Sequence, residues 1–211
     1  LSGLKVGLAD FSMATKLQNL KVGDSSSSYT NGNLVSLTLG NNILLKTVDA
    51  RNCSNLGTGE QQTIDLSGCT NIEEVYLTGT SVKGINLPNG GILKVLHVAD
   101  TITNLTIRNQ PSLTDLTIGD SSNITTLRLE NVGALVDVPN IIAGMADGSR
   151  IRATDINWSV SSENELISLF DKINKMRGLD ENGNNTNKAV LSGRVRVSEK
   201  VSDSVVGDIY N

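Results

Sequence analysis

IEEVYL (Ile72–Leu77), VKGINL (Val82–Leu87), LKVLHV (Leu93–Val98), ITNLTI (Ile102–Ile107), LTDLTI (Leu113–Ile118) and ITTLRL (Ile124–Leu129) follow one another, an aliphatic L-x-x-L-x-L pattern whose fourth position falls at Val75, Ile85, Leu96, Leu105, Leu116 and Leu127. Self-similarity at so short a period marks a repeat fold whose single units cannot bury an apolar face alone. The fourth and sixth positions straddle a polar one, so in an extended strand both point inward and the residue between them faces water. Eleven extended residues supply at most about 36 Å of chain, too little to circle a core whose walls stand roughly 10 Å apart. Two strand passes per coil, a repeat of about 22 residues, is the economical solution, and successive units then go to opposite walls. The expected fold class is a repeat solenoid: two parallel sheets wound, by the crossover rule, into a right-handed parallel β-solenoid.

Toward the N-terminus the pattern is ragged. LQNLKV around Leu20 reads as a first unit, and GDSSSSYTNGN (Gly23–Asn33) is a flexible loop by composition. From Leu34 the units are regular, LVSLTLGNN and then LLKTVDARNCSNL, with a short insertion, Gly57 to Gln61, before TIDLSGC. The run Leu45-x-x-Val48-x-Ala50-x-x-Cys53-x-x-Leu56 resembles the leucine-rich repeat, with Cys53 at the position that takes Asn or Cys; Asn42 holds that place one unit earlier and Cys69 one unit later. The likeness spans roughly residues 17 to 138 and is nearest to the short bacterial type. At the ninth position it departs, because Thr80, Gly90, Thr101, Gln110, Ser121 and Val132 stand where an Asn ladder would bond the turns, so no such ladder is expected after Cys69. The resemblance implies binding or scaffolding, not catalysis. If walls alternate across the insertion, Cys53 and Cys69 fall at opposite edges and remain free, buried thiols.

The sequence divides into the repeat region, 1–138, and an α/β capping region, 139–211, continuous with it. Pro139 to Ala146 suggests a short helix and SRIRATDINW a strand. Ser162 followed by Glu165 makes a capping box, and Leu166, Leu169, Phe170, Ile173 and Met176 form the apolar stripe of a helix that ends before Gly178. After a turn-rich segment comes the strand VLSGRVRV, and Val201, Val205 and Ile209 are spaced as a last amphipathic helix. These β-α-β-α units are expected to extend one sheet and shield the open end. MRGLDENGNN (Met176–Asn185), with the Thr/Ser-rich repeats before it and GRVRV after it, resembles leucine-rich repeat proteins of phage and prophage tail modules in gut bacteria. That resemblance implies a virion structural or adhesive part.

A net charge of -4, a pI near 5.0 and 3% aromatic residues give no general pull toward nucleic acid or anionic lipid and no base-stacking surface. No apolar stretch approaches the roughly 20 residues of a membrane span, and Leu1, with no basic-then-apolar leader after it, reads as the start of an excised piece. The expected partners are proteins, among them other tail proteins, or a cell-surface glycan, in a virion or at a cell surface. No cofactor is expected.

For chemistry, Asp180, Asn182 and Asn184 have the one-three-five spacing of a calcium loop, but Asn185, Lys188 and Leu191 stand where Gly, a ligand and a bidentate Glu belong. A plain Asx turn is expected and no metal site is assigned. His97 should face solvent with no acid, Ser or Cys in local register. Glu73 and Glu74 read as solvated, although a polysaccharide-cleaving enzyme on parallel strands is kept as an alternative.

Alternation sorts the outward residues onto two faces. One collects Thr38, Asp65, Asn86, Thr106 and Arg128. The other collects Asp49, Tyr76, His97 and Thr117, flanked by Lys46, Arg51, Glu74, Lys94 and Asp115. The second is the candidate binding face, since its aromatic and charged groups can make directional contacts; ordinary solvated sheet is the competing reading.

Overall fold

In the computed structural model, residues 7–26, 31–133, 135, 137–198 and 207–210 are described. The repeat region supplies β1 (Leu8–Asp10), β2 (Asn19–Lys21), β3 (Ser36–Thr38), β4 (Thr47–Asp49), β5 (Thr63–Asp65), β6 (Glu74–Tyr76), β7 (Gly84–Asn86), β8 (Val95–Val98), β9 (Asn104–Gln110), β10 (Asp115–Ile118) and β11 (Thr126–Val132). Then follow α1 (Val138–Gly144), β12 (Arg150–Val160), α2 (Glu163–Ile173), β13 (Arg177–Leu179), β14 (Asn185–Thr186), β15 (Val190–Val197) and β16 (Gly207–Tyr210). No helix among the described residues is long and apolar enough to cross a membrane.

Strands of even number, β2, β4, β6, β8 and β10, make one five-stranded parallel sheet in which Leu20, Val48, Val75, Leu96 and Leu116 are successive partners. The inward fourth and sixth positions of the repeat are the core: Val75, Leu77, Leu96, Val98, Leu105, Ile107, Leu127 and Leu129 are all fully buried.

The odd-numbered strands do not build the matching second wall. They fall into a β1–β3 pair, a β5–β7 pair and a seven-stranded sheet that begins β9–β11–β12 and carries β13 to β16. This overturns the expected two-sheet solenoid: the described residues form a mainly β fold of several separate sheets, parallel throughout the repeat region, with two α-helices. Other contacts fill the two gaps. Between β3 and β5 the insertion stands in for a strand ladder, with the Gly57 N–H donating to the Val35 carbonyl and the Gln61 side chain to that of Leu37. Between β7 and β9 a side chain again bridges the gap, the Gln110 amide donating to the Pro88 carbonyl at 2.8 Å. VKGINL is also the loosest unit, with Ile85 and Leu87 only partly buried.

The C-terminal part departs from β-α-β-α as well. Val201 and Val205 lie outside the described residues, but Gly207–Tyr210 is a strand paired antiparallel with β15, not a helix. β13 and β14 form another antiparallel pair. α2 starts as expected: the Glu165 N–H donates to Ser162 Oγ at 3.2 Å, and the Glu165 carboxylate receives the Ser161 N–H at 2.6 Å. β12 and β15 run parallel with a bulge after Ala153, where Asp155 has φ 56° and Gly193 passes at φ 125°.

The ninth-position ladder runs further than the sequence suggests. Asn42 is buried and donates to the carbonyls of Phe11 at 2.8 Å and Leu39 at 2.7 Å. After Cys69 the same work passes to other donors: Thr80 to Leu77, Thr101 to Val82 and Gln110 to Pro88. Asn42→Ala removes two hydrogen bonds at about 1–1.5 kcal/mol each. A loss of about 2–3 kcal/mol in urea unfolding is expected, and Asn42→Asp, which has no N–H to offer, should not restore it. Cys53 and Cys69 are both free and buried, as the alternating register predicts, and desolvation pushes both thiols up.

Candidate functional site

The candidate face is the outer surface of the five-stranded sheet. Strand pairing places Lys21, Asp49, Tyr76, His97 and Thr117 side by side as cross-strand neighbours. Seven of the nine predicted residues form one connected chain. Arg51 grips Asp49 through Nε–Oδ1 at 2.9 Å and Nη2–Oδ2 at 2.6 Å, and its guanidinium lies 4.8 Å from the centre of the Tyr76 ring. Tyr76 meets His97 edge-on, centroids 5.0 Å apart and planes at 87°. His97 Nε2 is 3.1 Å from Asp115 Oδ2, Thr117 Oγ1 donates to Asp115 at 3.3 Å, and Tyr76 Oη donates to Glu74 at 3.4 Å.

The expectation that His97 has no acid at hand is thus corrected, since its partner comes from the next strand of the sheet, 18 residues on. Lys46 and Lys94 join beside the row instead of in it. Both bind Glu73, at 3.4 and 2.6 Å, so Glu73, which read as merely solvated, is the centre of a Lys–Glu–Lys ladder. Such exposed pairs contribute little individually.

The electrostatics follow from these contacts. The Asp49 hydrogen bonds raise Arg51 above its ordinary value. Partial burial, then the negative Glu74, raise the Tyr76 phenol. Hydrogen bonding to Lys94 holds Glu73 down. What results is an aromatic pair fixed on both sides by charged neighbours, with rotamer freedom already spent in the free protein.

On the other face, Asp65 and Asn86 are partners, as are Thr106 and Arg128. At the β7–β9 break a recess of about 320 Å³ opens between Asn86, Asn89, Thr106 and Arg108. Arg128 is not an outward group, because it is 7% exposed and covered by the 180–184 turn.

That turn leads to a cluster sequence reading missed. Glu130 takes Arg108 at 2.7 Å, Arg128 at 2.8 Å and Arg152 at 2.6 Å. Arg128 also donates to the Glu181 carbonyl at 2.6 Å and Arg152 to that of Leu179 at 3.3 Å. Burial pushes Glu130 up, but the hydrogen bonds from Arg152 and Arg128 outweigh it and the carboxyl titrates below its ordinary value. The available signal was the return of arginine at 108, 128 and 150/152, one repeat apart.

Asp180 caps its own turn, accepting from the N–H groups of Asn182 and Asn184 at 2.9 and 2.8 Å and from Asn184 Nδ2 at 2.8 Å. Its oxygens are spent on that Asx turn, and among the described residues no group of three His, Cys, Asp or Glu could hold a metal ion. No protein family, curated protein or solved structure matches the chain.

Proposed function

We propose that the protein is a non-catalytic adhesion or scaffold module, a tail-associated part of a phage or prophage, that meets a protein or a surface glycan through the Asp49–Tyr76–His97–Thr117 row. The observation that carries this reading is the coupled Arg51–Tyr76–His97–Asp115 array, since binding surfaces concentrate their energy in ordered aromatic and arginine groups. The virion setting rests on the likeness of the 176–197 segments to tail modules.

Hydrolysis of a glycoside is the competing reading and asks for a carboxyl raised toward neutrality as general acid. The described carboxyls displaced from their ordinary values move the other way. Glu73 is held low by Lys94, Asp147 by Lys172, and Asp10, Asp65, Asp120, Glu165 and Asp180 by serine or asparagine hydrogen bonds.

A panel of bacterial cells and purified polysaccharides, read by surface plasmon resonance, tests the assignment. Tyr76→Ala with His97→Ala should weaken any saturable binding by more than about thirtyfold, the loss of at least ~2 kcal/mol typical of a hot spot. Asn86→Ala on the opposite face should leave it unchanged. The reverse pattern would move the site to the other face, and new reducing ends released from any polysaccharide would replace binding by catalysis.

A further inference from the structure

The chain carries eight arginines, and all but Arg51 stand on strands of the seven-stranded sheet. Glu130 offsets part of that charge. Arg150 and Arg177 have no such counter-ion: they are cross-strand partners on β12 and β13, and among the described residues neither takes part in an ion pair. Like charges set opposite each other across a ladder repel.

Both side chains line a cleft of about 370 Å³ with Thr125, Asp147, Ser149 and Asn185. Arg150 spends one Nη1–H on Asn185 Oδ1 at 3.2 Å, which fixes its guanidinium at the wall. The carboxylate in the lining, Asp147, is already taken by Lys172 at 2.8 Å, with Lys175 near enough to act on it too. Two guanidiniums therefore line the cleft, and its one carboxylate is already paired with a lysine, in a chain whose net charge is -4. Guanidinium groups present planar pairs of N–H donors that match the oxygens of a carboxylate, phosphate or sulfate.

We propose that this cleft is an oxyanion-binding site in which Arg150 and Arg177 together hold an anionic group of a ligand. The site lies on a different sheet from the Tyr76–His97 row and stands or falls without it. The 146–149 turn and the β13–β14 pair form its walls, so the two guanidiniums approach the anion from neighbouring strands with Asn185 beside them.

Calorimetric titration at low salt with sodium phosphate, sodium sulfate and sodium glucuronate tests the site and separates tetrahedral from planar oxyanions. At least one should bind saturably and raise the melting temperature of the protein. Arg150→Gln and Arg177→Gln should each weaken it about tenfold or more, the loss of one charge-assisted hydrogen bond. The double variant should bind none, while Arg196→Gln, exposed on β15, binds as the parent does. Without anion, Arg177→Gln should melt no lower than the parent, because it relieves repulsion. Four results would overturn the proposal: no probe binds, the double variant binds as well as the parent, Arg196→Gln weakens binding equally, or Arg177→Gln alone melts several degrees lower.

Discussion

Replacing Glu130 by glutamine should cost about 3 kcal/mol of stability, the loss expected when one partner is removed from a buried ion pair. Its three arginines remain, and Arg128, with a side chain 9% exposed, cannot turn to water without lifting the 180–184 turn it holds through the Glu181 carbonyl. Arg152, 16% exposed and tied to Leu179, is hardly freer. The sign with pH is set by the direction of the Glu130 shift. Its folded carboxyl lies below the ordinary 4.5, so the stabilisation is complete above that value and is lost as pH falls through the folded one. Urea unfolding of parent and Glu130→Gln should therefore differ most at pH 7 and converge in acid. A difference that is constant from pH 7 to pH 3 would mean that shape, not charge, explains the loss.

Gly193→Ala is the second large effect. Gly193 has φ 125°, a region L side chains rarely adopt, and a Cβ there would lie 2.3 Å from the Ile156 carbonyl oxygen and 2.5 Å from its nitrogen. Both neighbours are backbone in the middle of β12, and neither can step aside. The expected loss exceeds about 3 kcal/mol, more than the backbone strain alone. It should unlatch β15 and with it β16, seen as fast amide exchange over 190–197 while the five-stranded sheet stays protected. Uniform loss of protection across both sheets would show instead that the molecule unfolds as one unit.

Strand positions were legible because they rest on local alternation: in ITNLTI or LTDLTI the inward pair is set by residues two apart. Whether neighbouring strands then close into a continuous wall is a long-range matter, and here side chains bridge the gaps, Gln61 reaching the Leu37 carbonyl and Gln110 that of Pro88. The final segment misled for a similar reason. Val201, Val205 and Ile209 have helical spacing, but the open ladder of β15 claims Gly207–Tyr210 as a strand. On the candidate face, the row was readable from alternation alone, whereas the His97–Asp115 contact and the Glu73 ladder needed the register between strands. The Glu130 cluster escaped because a charged outward residue reads as solvated until something is known to lie over it, as the 180–184 turn lies over Arg128.

The partners Leu20, Val48, Val75, Leu96 and Leu116 stand 28, 27, 21 and 20 residues apart in sequence, yet occupy consecutive rungs of one ladder. Polypeptide length is therefore decoupled from position in the sheet: what the chain must keep is the order of its inward aliphatics, and connecting segments lengthen or shorten outside the plane. A gene encoding such a protein can gain or lose a handful of codons between strands and keep the same array of exposed groups at the same pitch. The unit on which heritable change acts harmlessly is the connector, and the unit it cannot slip by a single residue is the strand, because that slip would turn Tyr76 and His97 inward and Val75 and Leu96 to water.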